Sequence, residues 1–260
     1  MVARTISEGL AAGRRLAGPR PGYRILLYHA VGSRLAHDPY GLSISPARFE
    51  RHMALLTRHP GVRVVPFAAR AAAEAPVSLA ITFDDGYQDA LSTAAPMLLT
   101  HRLPFTVFVT WSFVGRSRDY LTASELRELA ALPGVTIGSH GLTHLPLARC
   151  EEAVLQRELD GSRRALEDFL GKPVTAIAYP HGSVDLRVRE AASRAGYAAG
   201  ACSRFVINGP DLDPLLLCRT EIVARDSGRV FLQKLNGAWD WLRWRGAPAL
   251  ALGRPLDRMV

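Results

Sequence analysis

The chain has 260 residues, 48% of them hydrophobic, which suits one large α/β domain or two small ones with a sizeable core. It carries 32 Lys+Arg against 24 Asp+Glu, a formal net charge of +8, and nearly all the basic residues are arginine, Lys172 and Lys234 being the only lysines. They are scattered along the chain, so no nucleic-acid-binding stripe emerges; a diffuse basic surface suits anionic lipids or phosphate-linked substrates, or is composition alone.

Cys150, Cys202 and Cys218 are an odd number with no Cys-x-x-Cys spacing. They make no disulfide framework and fit a reducing compartment. The segment Met1–Arg15 lacks an uninterrupted apolar h-region and does not read as a secretory signal. No stretch approaches the ~20 apolar residues of a spanning helix. A cytoplasmic location is therefore expected.

Strand-like runs are predicted at Arg24–His29, Val62–Pro66, Val77–Phe83, Pro104–Thr110, Val135–Gly138, Val174–Tyr179, Tyr197–Ala201 and about Thr220–Ala224. Helical patterns fall between them. The segment 46–58 starts at Ser45-Pro46, a cap followed by proline at the first helical position. Gln88–His101 keeps an apolar face despite Pro96. Thr122–Leu132 opens with Thr-Ala-Ser-Glu, which resembles a capping box. From Glu151 to Leu170, Leu155, Leu159, Leu166 and Phe169 recur at helical spacing, and Gly171 ends the run. Strands alternating with helices of this length imply parallel βαβ units, and seven or eight of them fit a barrel better than an open sheet. No linker, repeat or low-complexity block divides the chain, so one domain is expected.

The chemistry concentrates in two strings. Thr-Phe-Asp-Asp-Gly at 82–86 ends an apolar strand and sets Asp84 and Asp85 at its tip. Ser-His-Gly-Leu-Thr-His at 139–144 follows another strand and delivers His140 and His144, which share a face if the segment makes one helical turn. Strand tips are where α/β folds place reactive groups. One carboxylate and two imidazoles make a three-ligand divalent metal site with positions left for water and substrate. The second carboxylate is then free to be a base, the parts of a metal-assisted hydrolase.

These strings resemble the motifs of the polysaccharide deacetylase family, the NodB homology domain shared with rhizobial chitooligosaccharide deacetylases. Ala178-Tyr179-Pro180-His181-Gly182 with Asp185 is similar to the family's third motif. The resemblance spans about residues 22–225, leaving 1–21 as an N-terminal extension and 226–260 as a C-terminal helix and tail. It implies a distorted (β/α)7-type barrel and hydrolysis of an N-acetyl group on an amino sugar, in a poly-, oligo- or lipid-linked saccharide. It further implies zinc (Zn2+), or another divalent metal such as cobalt or nickel, held by Asp85, His140 and His144, with Asp84 as general base. The backbone N–H of about His181 would serve the oxyanion, and Tyr179, Pro180 and Gly182 would bind substrate.

Two departures from the family pattern stand out. The arginine that often braces the base from the third motif is replaced by Ala178, and no histidine follows His181 to act as the acid. Leu26-Leu27-Tyr28-His29 resembles instead a subgroup, typified by deacetylases of poly-N-acetylglucosamine, in which the acid histidine comes first. His29 is then the expected general acid, against the reading of a strand-end histidine satisfied by backbone.

Alternatives are a related amide hydrolase of small molecules and a non-catalytic sugar-binding relative. The segment 231–246 carries Trp239, Trp241 and Trp244 beside Lys234, Arg243 and Arg245. It reads either as a peripheral membrane contact or as a helix packed on the barrel through Phe231, Leu235, Ala238 and Leu242.

Overall fold

A computed structural model describes residues 22–67 and 77–245; the N-terminal extension and the end of the C-terminal tail lie outside the described residues. The chain opens with β1 (Gly22–Tyr28), followed by β2 (Ala30–Val31) and β3 (Ser43–Ile44), a short pair of their own. Helix α1 (Pro46–Thr57) leads to β4 (Val62–Val64) and β5 (Val77–Phe83). There follow α2 (Ala95–Thr100), β6 (Phe105–Val109), α3 (Ala123–Ala131), β7 (Val135–Ser139) and α4 (Glu152–Leu170). The last elements are β8 (Ala176–Ala178), α5 (Leu186–Arg194), β9 (Ala199–Cys202), β10 (Leu217–Cys218), β11 (Thr220–Glu221) and α6 (Gly228–Leu235).

The main sheet runs β10-β9-β8-β7-β6-β5-β1-β11, every pair parallel, with β4 beside the start of β5. Its two ends are one stretch of chain. Leu217 and Cys218 pair with β9, and two residues later Thr220 and Glu221 pair with β1. Counting that stretch once, seven strands make a circuit, the distorted (β/α)7-type barrel expected from the motifs.

Both faces of the sheet are covered, so its strands are near-continuous apolar runs; every residue of β5 is buried. The outer layer packs Leu26, Tyr28, Leu79, Ile81 and Phe83 against the helices, with Phe49 of α1 set edge-on to Tyr28 at 5.2 Å. The inner layer is narrower and uses small residues: Ala80, Ala176, Ala178, Ala199 and Ala201 beside Tyr23, Ile25 and Phe108. Phe108 folds across Gly138 so closely that a Cβ there would collide with the ring.

Several elements differ from expectation for local reasons. The 88–101 helix is split into a π-turn at Ala90–Ala94 and α2, because Pro96 has no N–H to continue the ladder. Helix α5 was not expected; Asp185 caps it by accepting from Val188 N at 2.8 Å. The C-terminal helix ends at Leu235, and after Gly237 (φ +74°) the chain turns into a 3-10 segment from Asp240. Asp240 is tied to Arg24 of β1 by two hydrogen bonds, 3.0 and 2.9 Å, which presses Phe231, Leu235 and Ala238 onto the barrel. Trp239 and Trp241 are half-buried there, and the side chain of Trp244 lies outside the described residues. Among the described residues no helix is long and apolar enough to cross a membrane.

Candidate active site

A parallel barrel points all its strand tips one way. His29 follows β1, Asp84 and Asp85 follow β5, His140 follows β7, and residues 179–182 follow β8. The tips stay in register past the strand ends: Asp84 N donates to Tyr28 O at 3.0 Å and His140 N donates to Val109 O at 2.8 Å.

Successive strand residues point to opposite sides, yet both aspartates face one cleft. The cause is Asp85, whose φ of +71° turns the chain at the tip, with Gly86 at +81° completing the bend. The histidine segment is a loop rather than the helical turn considered from the spacing. Gly141 (φ +78°) and His144 (φ +67°) bend it so that the imidazoles converge, ring centroids 4.9 Å apart. Three of the four described non-glycine residues with positive φ are Asp85, His144 and His181. Such conformations persist only where surroundings enforce them, and they gather at functional sites.

One donor atom each from Asp85, His140 and His144 lies within 4.8 Å of the others. Asp85 Oδ1 is 3.2 Å from His144 Nε2 and 3.4 Å from His140 Nε2, and it is shielded from solvent without a well-formed hydrogen bond. His140 Nδ1 meets Ala178 O at 2.8 Å, so that nitrogen carries the proton and Nε2 keeps a lone pair toward Asp85. An orphaned carboxylate oxygen facing two imidazole nitrogens is a donor set that fits a divalent metal.

The charges are ordered to match. Burial pushes the Asp84 carboxyl up, but Arg219 and then His140 more than reverse this, and it lies below the usual carboxylate range. Burial raises Asp85 as well, but its approach to His144 and the charges of His29 and His140 hold it well below that range. Burial brings the His140 imidazole down to about 4. His144 moves the other way, because Asp85 outweighs its burial.

Arg219 was not anticipated. It sits between β10 and β11, fully buried, and its Nη1 and Nη2 donate to Asp84 Oδ1 and Oδ2 at 2.7 Å each. The brace missing at Ala178 is thus supplied from the strand that closes the barrel. Asp89 holds the loop after His29, its Oδ2 accepting from Val31 N (2.8 Å) and Ser33 N (2.9 Å). An aromatic wall flanks His144: Phe113 lies 5.6 Å from its ring and 4.8 Å from Tyr120, which stacks on Tyr87 at 5.0 Å.

The other expected residues divide. His29 is half-buried at the neighbouring tip, with Nδ1 shielded and without a hydrogen bond, and its charge acts on both aspartates. His181 is exposed, its ring 4.5 Å from that of His144. Tyr179, expected to bind substrate, does not reach the cleft with its side chain. Its side chain is fully buried, donates to Leu215 O at 2.9 Å and packs over Gly200, so it builds the barrel rather than lining the cleft. Pro180 and Gly182 are buried as well; Pro180 packs beside Gly141 and Gly182 abuts Ser203.

A family model described as polysaccharide deacetylase matches residues 72–200. That span, about half of the chain, belongs to the polysaccharide deacetylase family. It is similar to YxkH of Bacillus subtilis (strain 168), 27% identical over 212 residues that make 80% of this chain and 74% of that protein. It is also similar to a chitooligosaccharide deacetylase of Bradyrhizobium sp. (strain ANU 289), 29% identical over 47% of this chain and 54% of that one. Among solved structures, BC0361, a polysaccharide deacetylase from Bacillus cereus, is 26% identical with a TM-score of 0.71, covering 82% of this chain and 69% of that one. The Streptococcus pyogenes deacetylase PplD shares the fold, with a TM-score of 0.73 at 24% identity over 84% of this chain and 99% of that one. Membership makes the chain an enzyme of the deacetylase type, on the barrel that the family uses.

Proposed function

We propose that the chain hydrolyses the N-acetyl group of an amino sugar of the N-acetylglucosamine type, in an oligo-, poly- or lipid-linked saccharide, with the help of a divalent metal. The observation that carries this is the convergence of Asp85, His140 and His144 at one barrel mouth, with Asp84 Oδ2 3.7 Å from His140 Nε2. A metal held by those three residues, zinc first for such a donor set, would supply Lewis acidity toward a water and toward the acetyl carbonyl.

The remaining roles belong to the chain. Asp84 accepts a proton from the attacking water, and Arg219 keeps its carboxylate ionised and aimed while it waits. The backbone N–H of His181, at the rim, is assigned to the developing oxyanion. His29 gives its proton to the departing amine, which leaves poorly without one. Its neighbouring strand tip and its unpartnered Nδ1 support that role, and with it the N-terminal Tyr-His subgroup. The partly exposed faces of Phe113 and Tyr120 offer the sugar an apolar flank.

The test is acetate release from N-acetylglucosamine oligomers by zinc-loaded protein. Asp84→Asn is expected to keep its zinc and to lose turnover by roughly two orders of magnitude or more, the scale of a positioned base. His29→Ala should also keep zinc while turnover falls, because an acid acts on the leaving group rather than on the metal. Bound zinc without acetate release from any N-acetylhexosamine substrate would overturn the reading.

A further inference from the structure

We propose that Glu158 of α4 is the positioning residue that holds the loop 140–144 in the shape that lets its two histidines bind metal together. This rests on the metal reading above. Glu158 is 3% exposed, on the helix face it shares with Leu155, Leu159, Ser162 and Leu166. A carboxylate so placed costs free energy unless donors surround it. Here the loop supplies them. Oε2 accepts from Leu142 N and Thr143 N, each at 2.9 Å, and Oε1 accepts from Thr143 Oγ1.

One turn further along α4, Ser162 Oγ accepts from Ser139 Oγ at 2.8 Å, and Ser139 Oγ in turn receives Gly141 N at 3.2 Å. The helix therefore grips the loop at both ends of the segment 139–143. The approach is close: a Cβ on Gly141, whose φ is +78°, would come 3.1 Å from Glu158 Oε2, and the carboxylate would have to give by a few tenths of an ångström to admit it.

The two ligands depend on this grip unequally. His140 is oriented through its own ring, by Ala178 O, and through its backbone N–H to Val109 O. His144 lies at the far end of the loop in a left-handed conformation, directly after the two residues that Glu158 holds. Released from Glu158, residues 142–143 can relax, His144 leaves its strained φ, and the three donor atoms no longer share one centre. Groups that orient metal ligands typically carry a 10- to 100-fold effect on metal affinity.

The experiment compares wild type, Glu158→Ala and Glu158→Gln by two readouts: zinc affinity from competition with a chromophoric chelator, and amide hydrogen exchange at Leu142 and Thr143 in zinc-free protein. Glu158→Ala is expected to bind zinc about 10- to 100-fold more weakly, with faster exchange at those two amides. Glu158→Gln keeps an oxygen acceptor for both amides and is expected to recover most of the affinity. Wild-type affinity in Glu158→Ala overturns the proposal, and so does a Gln variant as weak as the Ala one. If Glu158→Ala fails to fold, Thr143→Val removes only the hydroxyl contact; a few-fold weaker affinity supports the proposal and an unchanged one overturns it. If wild type binds no zinc, the metal reading fails, while the exchange contrast still decides whether Glu158 holds the loop.

Discussion

Asp84 is a buried charge with a cation fitted against it: both its oxygens meet Arg219 at 2.7 Å, and the two residues are 2% and 0% exposed. Removing one partner of such a pair strands the other and typically costs about 3–5 kcal/mol. Arg219→Met should therefore lower unfolding stability by that order in denaturant titrations. Adding Asp84→Asn should return part of the loss, since a neutral amide needs no counter-ion. A single-variant cost below about 1 kcal/mol would show that the pair contributes little. The aspartates and histidines of this site were legible because they sit at the ends of apolar strands with a spacing that suits a metal. Arg219 and Glu158 were not, because each acts through tertiary neighbours. Their trace in the sequence is faint: a charge directly after the apolar run from Leu215 to Cys218, and a charge on the apolar stripe of α4.

Helix α3 was legible down to its cap, since the capping box is local. Thr122 N donates to Glu125 Oε2 at 2.8 Å, and Glu125 N donates to Thr122 Oγ1 at 3.3 Å. The contact between α1 and α6 was not, because the two helices meet only in the folded chain. His52 of α1 stacks on Phe231 of α6 at 4.3 Å, and its Nε2 lies 3.2 Å from Asp226 O. Burial lowers its imidazole to about 4 against an opposing pull from Asp226. The unfolded chain, with an ordinary value near 6.5, binds this proton more readily than the folded one. The resulting penalty is absent above pH 6.5, grows as pH falls, and is complete below about 4, amounting to about 3 kcal/mol. His52→Phe keeps an aromatic ring against Phe231 and should flatten the stability-versus-pH curve over that interval. Equal acid slopes in the two proteins would remove His52 from the account.

The alternation of strands and helices made a parallel barrel legible over most of the chain. Its closure was hidden, because β10 and β11 have two residues each, too short for any periodicity, and Arg219 interrupts them. Yet these residues join what the rest of the sequence leaves apart; Arg24 reaches Thr220, 196 positions along the chain, at 2.9 Å. Until residue 221 has been synthesised, β1 and β9 each present an open row of backbone donors and acceptors, and Asp84 has no cation. Open edges of flat apolar strands recruit other chains. The family match ends at residue 200, inside β9, so a fragment cut at that boundary would lose half of β9 and the whole closing stretch, leaving the sheet permanently open at β1 on one side and at β8 with the stub of β9 on the other. It is expected to self-associate on size-exclusion chromatography and to unfold without a cooperative transition; a monomeric, cooperatively unfolding fragment would refute this. The barrel thus closes only when its last strand is in place, and chains that stop short of it are the species most in need of protection from one another.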